Sequence, residues 1–221
     1  MQTQKVIAYI VDWMRQYAAD AGVEGFVVGV SGGIDSSVTS TLCGKTGLQT
    51  LALKMPIRQA EDQQTLAARH VSWLHQRFEN VVGQTVDLTP VLEAFESSLS
   101  KEIQDQLTMA NTRARIRMTT LYAYATHHRL LVAGTGNKVE DFGVGFYTKY
   151  GDGAVDIGPI ADLTKTEVYK AGRELGVMDA ILDAPPTDGL WVDNRSDEDQ
   201  IGATYAELEW AMAFEEAGGE E

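Results

Sequence analysis

The chain of 221 residues holds 32 acidic and 18 basic side chains, which gives a formal net charge of -14 at pH 7. This balance argues against a general nucleic-acid-binding protein, because a phosphate backbone requires a basic surface. No apolar run reaches the roughly 18 residues that a membrane span needs, and the length suits one domain over 1–221. The single cysteine, Cys43, cannot form an internal disulfide, so it predicts a buried thiol in a cytoplasmic protein.

Hydrophobic residues alternate along the chain between helical and strand spacing. The first helical pattern runs from Val6 to Tyr17, and Gly22 ends it. Strands that alternate with helices predict a parallel sheet covered on both faces. We therefore expect an α/β fold, a single doubly wound domain with a parallel sheet of about five strands flanked by helices. The predicted strands are 26–31, 50–55, one within 79–88, 130–133 and 155–160, and the later predicted helices are 34–45, 60–77, 90–105, 108–128 and 164–176.

The turn after the first strand has the composition of a phosphate-binding loop. Gly32 and Gly33 let the backbone turn tightly and approach a ligand. A helix that begins at Ile34 points its free N–H groups back at that ligand, and Ser31 adds a hydroxyl. Asp35 would repel a bare phosphate but suits a Mg²⁺ ion that bridges phosphates. No Gly-Lys-Ser/Thr follows, so the loop is not of the Walker type.

A second polar loop, 134–140, follows the predicted strand 130–133. Ligands of such sheets lie beyond the carboxyl ends of the strands, at the point where the strand order reverses. If the strands before the two loops are neighbours, Asp35 and Glu140 can approach each other. Two carboxylates beside a polyphosphate would hold Mg²⁺, so we predict a metal site there.

Charge is distributed unevenly in the second half of the chain. Nine of the eighteen Lys and Arg lie in 113–173, which is where an anionic small ligand is expected to bind, and ten acids lie in 193–221, which we expect to be solvated surface. Arg113 and Arg117 share one face of a predicted helix, whereas Arg115 points nearly the opposite way. We therefore expect these arginines to serve different partners.

Six motifs occur in a fixed order: Ser-Gly-Gly-x-Asp-Ser, Asn-x-x-Ala-Arg-x-Arg-Met, Gly-Thr-Gly-Asn-x-x-Glu, Thr-Lys-Tyr-Gly-Asp-Gly, Leu-Thr-Lys-Thr and Pro-Thr-x-x-Leu-Trp. The first resembles the pyrophosphate-binding loop of the ATP pyrophosphatases. The series, over about 5–212, resembles ammonia-dependent NAD synthetase. The resemblance implies an adenine nucleotide alpha hydrolase-like fold, Mg²⁺ and a homodimer. It also implies conversion of nicotinic acid adenine dinucleotide (deamido-NAD), ATP and ammonia into NAD, AMP and pyrophosphate through an acyl-adenylate, with no nucleic acid or membrane partner.

The resemblance also implies roles for individual residues. Asp35, Lys165 and Asp152 would be catalytic, Lys165 at the transferring phosphate and Asp152 at ammonium. Asp35 and Glu140 would be the metal ligands. The implied ATP-binding residues are Gly29, Val30, Ser31, Gly32, Gly33, Ile34, Asp35, Ser36, Thr135, Lys165 and Thr187. The implied deamido-NAD-binding residues are Arg115, Lys149 and Asp156.

Two features depart from the family pattern. Pro-Thr-Asp-Gly-Leu stands where Pro-Thr-Ala-Asp-Leu is usual, so we assign Asp188 no role. The sequence ends at Glu221, where relatives usually continue into a basic tail that helps to close the deamido-NAD site, so we expect either a truncated end or another segment in that place. Free ammonia is the expected nitrogen source, because the sequence contains no glutaminase-like part.

Three other interpretations stay open at the level of sequence. The chain could be another ligase with this loop, such as the ATP pyrophosphatase part of GMP synthetase. It could be a tRNA-thiolating enzyme, although that chemistry calls for catalytic cysteines and a basic RNA-binding face. It could be a non-catalytic nucleotide-binding module, which would not need Lys165, Glu140 and the arginine helix together.

Overall fold

A parallel sheet of four strands, in the order β3-β2-β1-β4, forms the centre of the computed structural model. The structure describes residues 1–58, 61–186 and 196–219. The sheet confirms the predicted α/β class, with one strand fewer than expected. The strands are β1 (Gly25–Gly29), β2 (Gln49–Lys54), β3 (Val81–Thr85) and β4 (Leu130–Val132).

Helices cover both faces of this sheet because neighbouring strand residues point to opposite sides. Phe26 and Val28 of β1 pack with α1, α2 and α6, whereas Val27 packs against α5 on the other face. None of the described helices is long and apolar enough to cross a membrane. The helices are α1 (Thr3–Ala21), α2 (Ile34–Lys45), α3 (Glu61–Arg77), α4 (Thr89–Ser98), α5 (Gln106–His128), α6 (Lys165–Leu175), α7 (Asp179–Leu182), α8 (Asp197–Ile201) and α9 (Tyr205–Glu216), with a 3-10 turn (Lys101–Ile103) and a π-helical turn (Val139–Val144).

The predicted fifth strand, 155–160, is reduced to a single parallel bridge between Ala133 and Ile157. The side chain of Asp156 accepts a hydrogen bond from the backbone N–H of Val132 at 2.8 Å, so that N–H is engaged by a side chain instead of by a strand carbonyl. Pro159 follows and has no N–H with which to continue a ladder. The segment therefore lies beside β4 but does not form a strand, so the predicted fifth strand is wrong.

The predicted helix 90–105 is also shorter than expected. α4 ends at Ser98, and the backbone of Leu99 is extended. The carboxylate of Asp105 then accepts a hydrogen bond from Thr108 N at 3.0 Å and caps the next helix, α5. The remaining helix limits agree with the sequence, including the capping box of Thr164 and Glu167 and the end at Gly176.

The strand order reverses between β1 and β4. The chain proceeds from β1 to β2 to β3 on one side and then returns to place β4 on the other side of β1. The carboxyl ends of β1 and β4 therefore flank the crevice in which this kind of sheet binds ligands.

Close packing of α6 on α2 brings the start of α6 to that crevice. Gly172 of α6 is buried, and a Cβ atom there would lie 2.7 Å from Cδ1 of Ile34. The absence of a side chain lets the two helix axes approach, so the first residue of α6, Lys165, lies next to the first turn of α2.

Candidate active site

A cavity of about 540 Å³ opens at the carboxyl ends of β1 and β4. Its walls come from the loop between β1 and α2 (31–33, the glycine loop), from α5, from the segment after β4 and from Lys165. Gly32, Arg115, Lys149 and Asp156 are absent from its lining, and Thr187 lies outside the described residues. The predicted site residues that line the cavity are Gly29, Val30, Ser31, Gly33, Ile34, Asp35, Ser36, Thr135, Glu140, Asp152 and Lys165.

Serine hydroxyls hold the glycine loop in shape. The hydroxyls of Ser31 and Ser36 lie 3.0 Å apart, and Ser37 donates to the carbonyl of Gly33 at 2.8 Å. Gly32 has φ +92°, a conformation that L side chains rarely adopt and that favours glycine. α2 begins directly after this loop, and its free N–H groups at the edge of the cavity suit a phosphate.

One buried ammonium joins two carboxylates at the centre of the site. Nζ of Lys165 lies 2.6 Å from Oδ2 of Asp35 and 3.0 Å from Oε1 of Glu140, and the lysine side chain is 3% exposed. Burial alone would lower the pKa of Lys165, but the two carboxylates outweigh it and raise the pKa well above its ordinary value. Burial raises the pKa of Asp35, and the ammonium offsets only part of that rise. Lys165 is therefore a permanent cation of the site.

The two acidic side chains fit a magnesium ion that also takes oxygens from a phosphate. Asp35 and Glu140 contact the same ammonium, so their oxygens are close enough to share a cation, and both side chains line the cavity. Magnesium is commonly bound by one or two carboxylates plus substrate phosphates. In the described part of the chain, no group of three or more His, Cys, Asp or Glu side chains could hold a metal. A metal here would accordingly need ligands from the nucleotide.

Sequence reasoning missed Asn137, which ties the two carboxylate-bearing loops together. Its side chain is fully buried, and Nδ2 donates to Oδ1 of Asp35 at 3.4 Å. Its Oδ1 accepts from the backbone N–H groups of Val139 and Glu140, each at 3.1 Å. The only signal available was its place in the Gly-Thr-Gly-Asn motif.

Tyr205 was missed as well. Its hydroxyl donates to Oε1 of Glu140 at 2.6 Å, and Nζ of Lys165 lies 4.6 Å from the centre of its ring. The expectation of solvated surface for 193–221 is wrong at this residue, which is 6% exposed. No local pattern identifies it, because it follows Glu140 by 65 residues.

Two more acids stand near this centre. Asp152 is exposed and accepts from the backbone N–H of Thr148 at 3.1 Å. Asp141 also lines the cavity, and burial followed by the charges of Glu140, Asp152 and Asp35 raises its pKa to about 6. This side of the cavity is therefore acidic and suits a cation.

The three residues that the resemblance assigned to deamido-NAD are exposed and are absent from the lining of this cavity. Nε of Arg115 donates to the backbone carbonyl of Lys149 at 3.1 Å. Asp156 accepts from the hydroxyl of Tyr122 at 3.0 Å. Tyr122 and Arg115 lie on the same face of α5, because they are two helical turns apart. Arg117 belongs to the other face of α5, lines the cavity and donates to the carbonyl of Met55 at 3.1 Å. The expected separation of the arginines is confirmed.

A second cavity of about 370 Å³ lies on the other side of the glycine loop, against α3. Part of its wall is apolar, formed by Met55, Pro56, Ala67 and Ala68. Val30, Ser31 and Met55 line both cavities. The two cavities are therefore neighbours, with Ser31 of the glycine loop between them.

The NAD synthase family profile matches residues 6–220. The NH(3)-dependent NAD(+) synthetase of Methanosarcina acetivorans is 38% identical, over 100% of this chain and 86% of that protein. The enzyme of the same name from Alkaliphilus metalliredigens is 39% identical, over 93% and 84%.

Solved structures give the same grouping. NMN synthetase from Francisella tularensis superposes with a TM-score of 0.90 and 36% identity, over 96% of this chain and 87% of that one. NH3-dependent NAD synthetase from Campylobacter jejuni superposes with a TM-score of 0.75 and 31% identity, over 82% and 77%. With the glycine loop, the buried lysine and the crevice between β1 and β4, these matches show that the chain belongs to the NAD synthase family.

Proposed function

We propose that the protein amidates deamido-NAD with ammonia at the expense of ATP, giving NAD, AMP and pyrophosphate, the final step of NAD biosynthesis. The observation that carries the proposal is the phosphate-binding loop beside the buried centre of Lys165, Asp35 and Glu140. Family membership speaks against the GMP synthetase and tRNA-thiolating interpretations. We keep the single domain over 1–221 and the cytoplasmic location as parts of this proposal.

ATP would bind across the glycine loop. Its phosphates suit the hydroxyls and N–H groups of the loop, and the partly apolar second cavity beside Ser31 suits the adenine base. Asp35 and Glu140 would hold Mg²⁺ against the phosphate oxygens, and the ion would supply positive charge to the departing pyrophosphate. Lys165 would stabilise the same negative charge on the pyrophosphate, because its ammonium has a raised pKa and is buried in the site.

The chemistry needs activation because a carboxylate does not react with ammonia. An oxygen of the nicotinate carboxylate attacks the α-phosphorus of ATP, the bond to the β-phosphate oxygen breaks, and pyrophosphate leaves. Ammonia then attacks the acyl carbon of the mixed anhydride and loses a proton, and AMP leaves with the anhydride oxygen. Asp152 and Asp141, on the acidic side of the cavity, would attract ammonium and take its proton.

The acyl-adenylate can be tested by isotope transfer. With ¹⁸O in the carboxylate of deamido-NAD, one labelled oxygen should appear in the phosphate of AMP for each NAD formed. Unlabelled AMP beside labelled NAD would contradict this intermediate.

The substrate would extend from the cavity to the cluster of Arg115, Lys149 and Asp156. All three residues are exposed, and so are Tyr147 and Tyr150, the tyrosines near Lys149 in the sequence, at 48% and 69%. Guanidinium and ammonium groups suit the phosphates of a dinucleotide. We include a homodimer in the proposal, since a second copy could complete this open side of the site.

A second candidate substrate is nicotinic acid mononucleotide, the carboxylate from which NMN would form. The observation that favours it is the superposition on the Francisella NMN synthetase, at a TM-score of 0.90. The two candidates share the ATP chemistry and differ in the half of the substrate that reaches Arg115 and Lys149. Measuring kcat/KM for both carboxylates decides between them: a preference for deamido-NAD supports the main proposal, and a preference for the mononucleotide supports the second.

A further inference from the structure

Tyr205 touches both charged partners at the centre of the site. Its hydroxyl donates to Oε1 of Glu140 at 2.6 Å, and its ring centre lies 4.6 Å from Nζ of Lys165. The side chain is buried, and a carboxylate can only accept a hydrogen bond, so the tyrosine is the donor. An ammonium over the face of a tyrosine ring is attracted by the negative charge of that face.

Oε1 of Glu140 receives two hydrogen bonds, from Tyr205 and from Lys165 at 3.0 Å. These bonds fix the rotation of the carboxylate, and Oε2 takes part in neither of them. A ligand group that is held by a second hydrogen bond keeps its orientation towards the ion or phosphate that it serves. Tyr205 is thus placed to hold Glu140 in one geometry.

The helix that begins at Tyr205 is anchored to the segments that carry Glu140 and Lys165. Glu209 accepts from the backbone N–H of Thr166, the residue after Lys165, at 2.7 Å. Glu216 forms an ion pair with Lys138, which directly precedes the π-helical turn that contains Glu140. Helix α9 therefore fixes the tyrosine against both segments at once.

We propose that Tyr205 is a positioning residue of the amidation reaction: its hydroxyl orients Glu140, and its ring holds the ammonium of Lys165. It touches neither substrate nor reacting atoms in this role and acts through these two side chains. The proposal rests on the proposed function for the reaction that it assists. It adds Tyr205 of α9 to a C-terminal part that already contributes Asp197 and Gln200 to the wall of the cavity.

Two substitutions separate the hydroxyl from the ring. Tyr205→Phe keeps the ring and removes the hydroxyl, which donates to Glu140 and also lies 3.4 Å from Oδ2 of Asp197. It should lower kcat by about 10- to 100-fold, the range for groups that orient a metal ligand. Tyr205→Leu also removes the ring and should lose more activity than Tyr205→Phe. The matched control is Tyr124→Phe, which removes a hydroxyl that accepts from Gln84 at 2.8 Å and lies outside both cavities. The control should keep wild-type activity.

A binding measurement tests the route through Glu140 without turnover. Mn²⁺ is titrated into wild type, Tyr205→Phe, Glu140→Gln and the double variant, each saturated with a non-hydrolysable ATP analogue. Tyr205→Phe should weaken Mn²⁺ binding by about 10-fold in the wild-type background and by less than twofold beside Glu140→Gln.

Equal losses in the two backgrounds, or unchanged Mn²⁺ affinity and kcat in Tyr205→Phe, would overturn the proposal. So would a folded Tyr205→Leu with the activity of wild type. A wild-type protein that forms no amide product would instead overturn the proposed function, and the Mn²⁺ titration would still decide the role of Tyr205.

Discussion

Lys165 is the residue at which the parts of the site converge. Its ammonium is buried between Asp35 and Glu140, and a charge in that position is tolerated only because both partners are close. The Leu-Thr-Lys-Thr motif drew attention to this lysine, and the glycine loop drew attention to Asp35. Their contact, across 130 positions of sequence, could not be derived from either motif because it depends on the packing of α6 on α2.

Replacing Lys165 by Ala should lower kcat by about two to three orders of magnitude, the usual loss when one group that stabilises transition-state charge is removed. The KM for ATP should change far less, because the loop still binds the phosphates. Steady-state kinetics at saturating Mg²⁺ measure both quantities. Lys170→Ala removes an exposed lysine from the same helix and should behave as wild type. A change confined to the KM for ATP would make Lys165 a ground-state binding residue.

A buried histidine joins two helices, α3 and α2, the helix that follows the glycine loop. Nε2 of His70 lies 2.9 Å from the hydroxyl of Ser40, and the histidine side chain is fully buried. Burial lowers the pKa of His70 to about 4, so the folded protein keeps the ring neutral at pH 7. The contact makes the packing of α2 on α3 sensitive to acid.

Below pH 6.5 the unfolded chain binds a proton at His70 that the folded chain does not accept. The neutral histidine therefore makes its full contribution to the free energy of unfolding above pH 6.5. As the pH falls from 6.5 towards 4, the free energy of unfolding decreases by up to about 3 kcal/mol. Urea unfolding at several pH values should show this loss in wild type and a smaller one in His70→Gln. The exposed His127→Gln is the control and should keep the wild-type slope. Parallel curves for wild type and His70→Gln would contradict the assignment.

Element positions followed from sequence wherever hydrophobic spacing and capping residues agreed. α2 and α6 begin and end close to the predicted residues, because the glycine turn precedes α2 and the capping box of Thr164 begins α6. α5 begins two residues before its prediction, since Asp105, which was expected to end the preceding helix, caps it. The fifth strand failed because the side chain of Asp156 binds the N–H of Val132, which an apolar pattern does not reveal. Side-chain competition for a backbone group is a tertiary effect.

In the molecule as a whole, the alternation of strands and helices was sufficient to predict a parallel sheet covered by helices, and the condition that β1 and β4 be neighbours is met. That ligands bind where the strand order reverses stays a prediction. β1 and β4 are neighbours, so the loops that follow them meet at the site. The part that could not be predicted is the contribution of α9. Tyr205 reaches Glu140 from a helix whose sequence is acidic and carries no motif of the site.

The fold also bears on the source of nitrogen. Cys43, the one cysteine of the chain, is fully buried in α2, and burial raises the pKa of its thiol, so it is a poor nucleophile. We expect the purified protein to form NAD with ammonium and not with glutamine freed of ammonium. The rate at fixed total ammonium should rise with pH, because NH₃ attacks the acyl carbon. Glutamine-driven turnover that disappears in Cys43→Ser would contradict this expectation.

In the proposed reaction, pyrophosphate release at this site is coupled to amidation of a nicotinate carboxylate. The direct measurement is pyrophosphate release from ATP by the purified protein with Mg²⁺ and ammonium, with and without deamido-NAD, while NAD formation is followed in the same samples. We expect pyrophosphate release only when deamido-NAD is present, with one NAD formed for each pyrophosphate. Release that is independent of deamido-NAD, or that continues without formation of NAD, would contradict it.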